Sequence, residues 1–512
     1  MSATEHVRVA LIGAGFAGIA ASVALKRAGI DDFVVLERAD EVGGVWRDNS
    51  YPGIACDVPS SFYSLSFAPN PDWSRTYSPG EQIATYTRGV VDEYGVRPHI
   101  RFGQELVSAS WEDAQQHWVI KTPDLTFTAD VLVDCAGSLA EPQVPSLPGL
   151  ETFAGTVFHS ARWDHGHDLR GKRVAVVGTG ASAIQFVPAI QPVVDQLTVF
   201  QRTPVWVVPR NDRPTTAIER RLFTMFPSLQ RLQRSSQFAV RELLHYPMIR
   251  RRKAARLVLE ATARFHLRRQ ITDPALRAKL EPDFEIGCKR LLISNDWYPA
   301  LAQDNVHVVA NGVREIRESS VVAADGSEHE VDTIIFGTGF SLGTTDVFKR
   351  IHGRDGRSLD QVWQGSPRHY RAVSIAGFPN YFRLGGQGCG IGHGSMIFQI
   401  ESQTAYLIDA LDTMARRGLS SVEVTAEAQG AYLTKLSSDL EGTVWLKGGC
   451  SSWYQDASGD ATGMWPRSLT SYRRLTRRFE PADHHLQPRG AASLRLSSSA
   501  TSTASRRSPT GS

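Results

Sequence analysis

Gly13-Ala14-Gly15-Phe16-Ala17-Gly18 follows the apolar run Val7-Arg8-Val9-Ala10-Leu11-Ile12, and Gly178-Thr179-Gly180-Ala181-Ser182-Ala183 follows Arg173-Val174-Ala175-Val176-Val177. Each reads as strand, tight glycine turn and helix start, the arrangement in which a pyrophosphate approaches bare backbone at a helix N-terminus. The end of the next strand tells the two apart. Val34-Val35-Leu36 closes on Glu37, nineteen residues past Gly18, whereas Leu197-Thr198-Val199-Phe200 runs into Gln201-Arg202, with Arg202 nineteen past Ala183. A carboxylate there accepts hydrogen bonds from ribose hydroxyls and repels a 2′-phosphate; an arginine does the reverse. The first finger therefore suits FAD or NAD, and the second suits NADP.

Working outward, 512 residues exceed one core, and the composition is ordinary for a globular protein. A net charge of +3 argues against a dedicated nucleic-acid role. The cysteines at 56, 135, 288, 389 and 450 show no C-x-x-C and no ligand-like spacing with His. That pattern predicts five small buried hydrophobes in a reducing compartment, with neither a zinc site nor a disulfide-relay centre. With no apolar run of bilayer length and a first strand within seven residues, the reading is a cytoplasmic enzyme.

The pattern predicts an α/β fold of two Rossmann-like domains, the NADP one inserted into the FAD one. Asp130-Val131-Leu132-Val133-Asp134-Cys135-Ala136-Gly137 and Asp332-Thr333-Ile334-Ile335-Phe336-Gly337-Thr338-Gly339 are matching Asp-led strands at the two crossings. The expected units are FAD domain 1–150, NADP domain 151–216, helical insertion 217–280, NADP domain 281–330, FAD domain 331–488 and a disordered tail 489–512. The insertion is Arg-rich and interrupted by Pro227 and Pro247; its favoured reading is a solvated helical excursion, ahead of a membrane-surface or partner-binding helix.

Two nucleotide sites on one chain pass a hydride from NADPH to a flavin, which then hands electrons onward. The missing C-x-x-C removes a disulfide acceptor and leaves reductase or oxygenase. Three segments bear on that choice. Phe153 to Asp164 has the spacing F-x-G-x3-H-x3-W-D, with His159, Trp163 and Asp164 in the named places. Gly44-Val45-Trp46 is followed by Tyr51-Pro52-Gly53 and Asp57, and Gly287-Cys288-Lys289-Arg290 by Ser294-Asn295-Asp296-Trp297-Tyr298-Pro299. Together these resemble type I Baeyer–Villiger monooxygenases, over residues 7 to about 480.

The resemblance implies FAD and NADPH as cofactors, O2 and a small-molecule ketone as substrates, and an ester or lactone as product. It implies a C4a-peroxyflavin that attacks the ketone, with Arg290 as the fixed cation beside it and Asp57 as that arginine's partner. A cation there stabilises the oxyanions of the reaction. Lys289 and Arg202 suit the 2′-phosphate, with Thr203 and Gln185 as further NADP contacts. Trp46 and Tyr63 match positions lining FAD, Leu106 supplies backbone contacts, and Trp453 is either an NADP contact or a packed core aromatic. His159 reads as an interdomain hinge contact, since the mechanism needs no base there. His393, in Gly390-Ile391-Gly392-His393-Gly394-Ser395, falls in a stretch expected near the flavin. Leu384-Gly385-Gly386-Gln387-Gly388 departs from the family's usual Gly-Pro-Asn. A heteroatom oxygenase acting on sulfur or nitrogen and a flavin reductase with a protein acceptor are the alternative functions.

Overall fold

The structure, a computed structural model, describes residues 4–341, 345–386, 388–456 and 458–490. The tail expected to be disordered lies outside these residues from 491 onward. Its boundary shifts, however. The backbone N–H of Arg489 donates to Gly418 O at 2.8 Å and its guanidinium pairs with Asp130, so order continues past 488.

Two parallel-cored sheets carry the two fingers. In the first, Glu5–Ile12 lies between Phe33–Leu36 and Thr126–Asp134, parallel to both. An antiparallel meander, His117–Lys121 and Ser108–Glu112, extends it on one side, and Ile100–Arg101 closes the other. The returning chain adds Ile351–His352 and Tyr381–Arg383 to this sheet. The second sheet runs Val306–Val309, Gln196–Phe200, Arg173–Val177, Thr333–Phe336, Thr156–His159, all parallel.

That order corrects one boundary. The strand Thr333–Phe336, expected to open the returning FAD part at 331, belongs to the second sheet, where Thr333 pairs with both Val174 and Thr156. Its fully buried Ile334, Ile335 and Phe336 lie between Arg173–Val177 and the edge strand Thr156–His159. The twin Asp-led strands therefore end beside different fingers: Gly13 lies against Cys135, and Gly178 against Gly337.

The 217–280 segment is helical. Ala217–Met225 starts with a full capping box from Thr216 and Glu219, Pro227–Val240 starts on its proline, and Arg241–His245 forms a π-helical turn. Tyr246–Ile249 and the long helix Lys253–Gln270 follow. Both prolines sit in first turns, where a missing N–H costs nothing. This excursion is more than a solvated ornament. Phe238 packs against Phe62 and Phe398, Arg234 donates to the carbonyls of Ser61, Phe62 and Ser64, and Met248 lies over Gly287.

Candidate active site

The two finger helices begin without caps. Neither Phe16–Arg27 nor Ala183–Ile190 has a side-chain cap or an acidic residue in its first turn. Elsewhere in the chain Thr216 and Ser358 build complete capping boxes. Uncapped first-turn N–H groups with positive dipole ends are what a pyrophosphate requires. Glycine is enforced at the closest approaches. A Cβ on Gly18 would stand 2.0 Å from Gly13 O, and one on Gly178, at φ +105, would stand 2.6 Å from Gly337 O. The residues present fit two dinucleotides.

Glu37 is buried at the end of its strand, accepting from Ala14 N at 2.8 Å, Ala39 N at 3.0 Å and Arg47 Nη1 at 3.1 Å. Arg47 was not anticipated. It holds the carboxylate in place and is itself fixed by Asp48. Gly15 faces Gly44, whose φ of +54 turns the chain into the short helix Val45–Asp48. Trp46 Nε1 donates to Tyr63 Oη at 3.2 Å, with the rings edge to face. Leu106 is buried in the first sheet's core, and its carbonyl accepts from Arg350.

In the second finger, Thr179 is buried and reaches Thr203 O, while Ala181 is exposed at the tip and a Cβ on Gly180 would meet Gly337 O only at 3.9 Å. Gln185 does something the sequence did not suggest. Its amide donates to Ala55 O at 2.9 Å and accepts from Tyr51 Oη at 3.0 Å, and its backbone carbonyl abuts Gly53. The Tyr51-Pro52-Gly53 segment is thus seated on the second finger's helix, and it carries Asp57 to the junction. Arg202 is exposed. Lys289 is pushed below its ordinary pKa by burial and then by the nearby Arg202, with Asp283 opposing. Two neighbouring cations make an anion site.

At the junction, Arg290 Nε and Nη2 donate to Asp57 Oδ2 at 2.8 and 2.5 Å across 233 positions of sequence. The Asp57 charge raises the already high pKa of Arg290 further, so the cation is permanent. Two further groups surround the pair. Arg241, aimed inward by the π turn, feels burial first and then Tyr77 and Asp57. Tyr454 is buried beside Arg290; burial raises the pKa of its hydroxyl and the Arg290 charge opposes that rise. Its neighbour Trp453 is 52% exposed, with its ring tilted against Tyr454, which removes the packed-core reading of that tryptophan.

The cysteine expectation needs correcting at two of five positions. Cys56, Cys135 and Cys389 are free and buried, but Cys288 and Cys450 form a disulfide with Cα atoms 6.1 Å apart. A separation of 162 residues hides the pair from any spacing rule. The fold brings them together because Glu285 N donates to Gly448 O, laying the Gly287–Arg290 turn against the loop that leads to Trp453.

His159 ends the strand Thr156–His159, and its Nδ1 accepts from Ala161 N at 3.0 Å. Burial lowers its pKa to about 4, so it is neutral at working pH. Trp163 of the same segment packs on Phe158 and Phe186 at the edge of the second sheet. His393 is buried and bonds Glu242 of the π turn at 3.2 Å, ahead of the Ser395-capped helix Met396–Arg417.

A fold with two uncapped dinucleotide fingers around a guanidinium–carboxylate pair is a two-nucleotide flavoprotein, and comparison with known proteins agrees. Residues 6–348 match the flavin-binding monooxygenase-like family, and the chain belongs to that family. A protein of Streptomyces coelicolor named Baeyer–Villiger monooxygenase is 50% identical over 94% of this chain and 93% of its own. One of the same name from Pseudomonas aeruginosa is 43% identical over 96% and 94%. Among solved structures, cyclohexanone monooxygenase from Rhodococcus sp. Phi1 bound to NADP+ superposes with a TM-score of 0.83 at 28% identity, covering 95% of this chain and all of that one.

Proposed function

We propose that the protein is an FAD- and NADPH-dependent Baeyer–Villiger monooxygenase that inserts one atom of O2 beside a ketone carbonyl to give an ester or lactone. The observation that carries this reading is the Arg290–Asp57 pair at the meeting point of the two fingers, in a chain 50% identical to a protein of that name. When bound, the flavin accepts the NADPH hydride and activates dioxygen. Glu37 and the 13–18 turn hold FAD; Arg202, Lys289 and the 178–183 turn hold NADPH.

Arg290 supplies charge where the ketone oxygen becomes negative, a term that preorganised donors make large. Asp57 fixes the plane of the guanidinium, and Arg241 keeps the local potential positive. The Tyr454 hydroxyl, buried beside Arg290, is a further donor for the same oxygen. The inner face of the 217–280 helices brings Arg241 and Met248 to this junction, and exclusion of water from it when the cofactors are bound strengthens each of these interactions. A cytoplasmic location is part of the proposal and rests on the NADPH requirement, since the Cys288–Cys450 disulfide runs against the usual pattern of a reducing compartment; no described helix is long and apolar enough to cross a membrane.

The test is turnover of the purified yellow protein with NADPH and a ketone panel under isotopically labelled O2. Ester or lactone carrying one labelled oxygen establishes the activity. NADPH consumption that yields only hydrogen peroxide, whatever ketone is present, transfers the protein to the reductase class.

A further inference from the structure

Twelve of the eighteen large apolar side chains exposed among the described residues belong to 217–280, an eighth of the chain. They are not scattered. Along Pro227–Val240 and the π turn, Leu229, Leu232, Val240 and Leu243 recur at helical spacing on the outside, with Leu232 67% and Leu243 73% exposed. Along Lys253–Gln270, Leu257, Val258 and Phe265 form a second outward stripe, with Phe265 66% exposed. Each helix already has its inward partners. Gln230 and Phe238 face the first domain, and Ala263, His266 and Leu267 are buried beneath the long helix. The outer stripes are apolar surface beyond what packing uses, and such surface marks an interaction site.

Charge identifies the partner. The segment holds fifteen Lys and Arg against four Asp and Glu, a net charge of +11 in a chain of net +3, so the remaining residues sum to −8. Arg221, Arg231, Arg252, Lys253, Arg268 and Arg269 are exposed and belong to no ion pair among the described residues. A second copy presenting the same face would meet it with like charge. Outward apolar stripes bordered by unpaired cations match a bilayer whose headgroups are anionic: the apolar side chains enter the headgroup boundary and the cations hold the surface. We infer that the outer face of 217–280 docks the enzyme on anionic membrane surfaces, with the inner face still closing the active site.

Flotation of the full-length holoenzyme with phosphatidylcholine vesicles, and with vesicles of equal parts phosphatidylcholine and phosphatidylglycerol, decides it. The expected result is binding to the anionic vesicles alone, reversed by high salt. Two independent variants keep the test sharp. Leu243→Ser with Phe265→Ser removes apolar anchors, and Arg268→Gln with Arg269→Gln removes cations; each lowers the partition coefficient about tenfold or more. Both variants retain flavin absorbance, melting temperature and soluble NADPH turnover. Absence of flotation, equal binding to neutral vesicles, or binding unchanged in both variants overturns the inference. So does light scattering that shows a dimer dissociated by Leu243→Ser with Phe265→Ser, which gives the face to a second copy.

Discussion

Arg290 is held through a single carboxylate oxygen of Asp57, so its charge and its orientation can be varied separately. Arg290→Lys keeps the charge and loses the planar fork, and Asp57→Asn keeps the shape and frees the guanidinium to turn. Under the proposed function, Arg290→Lys lowers ketone oxygenation by about 10²-fold, the scale of a lost transition-state donor. Flavin reduction by NADPH changes far less, and stopped-flow measurement of the two half-reactions separates them. A different pair governs stability. Asp134 and Arg383 are each 1% exposed and 2.8 Å apart, with Tyr381 and the Ala136 N–H completing the carboxylate. Asp134→Asn leaves a buried guanidinium, already short of partners at Nε and Nη2, without its counter-charge. The expected loss is about 3 kcal/mol in chemical unfolding. Protonation acts at the same scale. Burial holds His159, and burial with Arg241 holds His245, near a pKa of about 4 against an ordinary 6.5. Folded protein refuses protons that the unfolded chain takes up, so stability is constant above pH 6.5 and falls as pH drops from 6.5 towards 4. Melting temperatures across that window check the sign, with a shallower fall in His159→Gln, since His245 and His484 still titrate low.

Among the elements, the disulfide ties the Gly287–Arg290 turn to the loop carrying Trp453 and Tyr454. Cys288→Ser releases a cross-link that closes 162 residues, worth roughly 2–4 kcal/mol in typical cases. The expected outcome is a lower denaturation midpoint in the variant, matched by wild type under reductant and unchanged when the variant is reduced. How much of this the sequence disclosed follows from range. The fingers were legible because their signals are local: glycines forced by contacts within one turn, and a terminal Glu37 or Arg202 a fixed distance on. The 217–280 helices were legible from their prolines and periodicity. Their two-faced character was not, because which stripe faces outward depends on Phe62, Phe398 and Gly287 far away in sequence. Asp57 and Arg290 were singled out together only through the family resemblance, since nothing within 233 residues of chain announces a pair. Arg241 and Tyr454 gave no signal at all; a π turn and the loop beyond Cys450 bring them in. The Thr333–Phe336 strand was placed on the wrong side of a crossing because an Asp-led apolar strand reads alike in either sheet.

For the whole molecule, the question is what holds two nucleotide sheets in register while hydride passes between their ligands. Several contacts join them, among them Arg75 with Asp212 and Ser50 with His165, and one is close enough to be tested by a single methyl group. Gly53, at φ +80, lets the Tyr51–Asp57 loop approach the second finger until an added Cβ would stand 2.7 Å from Gln185 O, while Gln185 binds Tyr51 and Ala55 from the other side. The loop therefore couples the second finger directly to Asp57, and through it to Arg290. Gly53→Ala must push the loop off that helix and shift Asp57 with it. Misplacement of order 1 Å at reacting groups costs up to about 10²-fold in rate. The expected result is a fall in kcat of about tenfold to 10²-fold, a raised KM for NADPH, and more of the NADPH oxidised ending as hydrogen peroxide. Left-handed strain alone must be separated from displacement. Gly171, at φ +67 with nothing within 4 Å of an added Cβ, provides the control. Gly171→Ala carries similar backbone strain at a turn without the interdomain contact, so it lowers melting temperature and leaves kcat and coupling intact. If Gly53→Ala behaves like Gly171→Ala, the register of the two fingers is set elsewhere, and the Gln185 contact is packing without consequence for turnover.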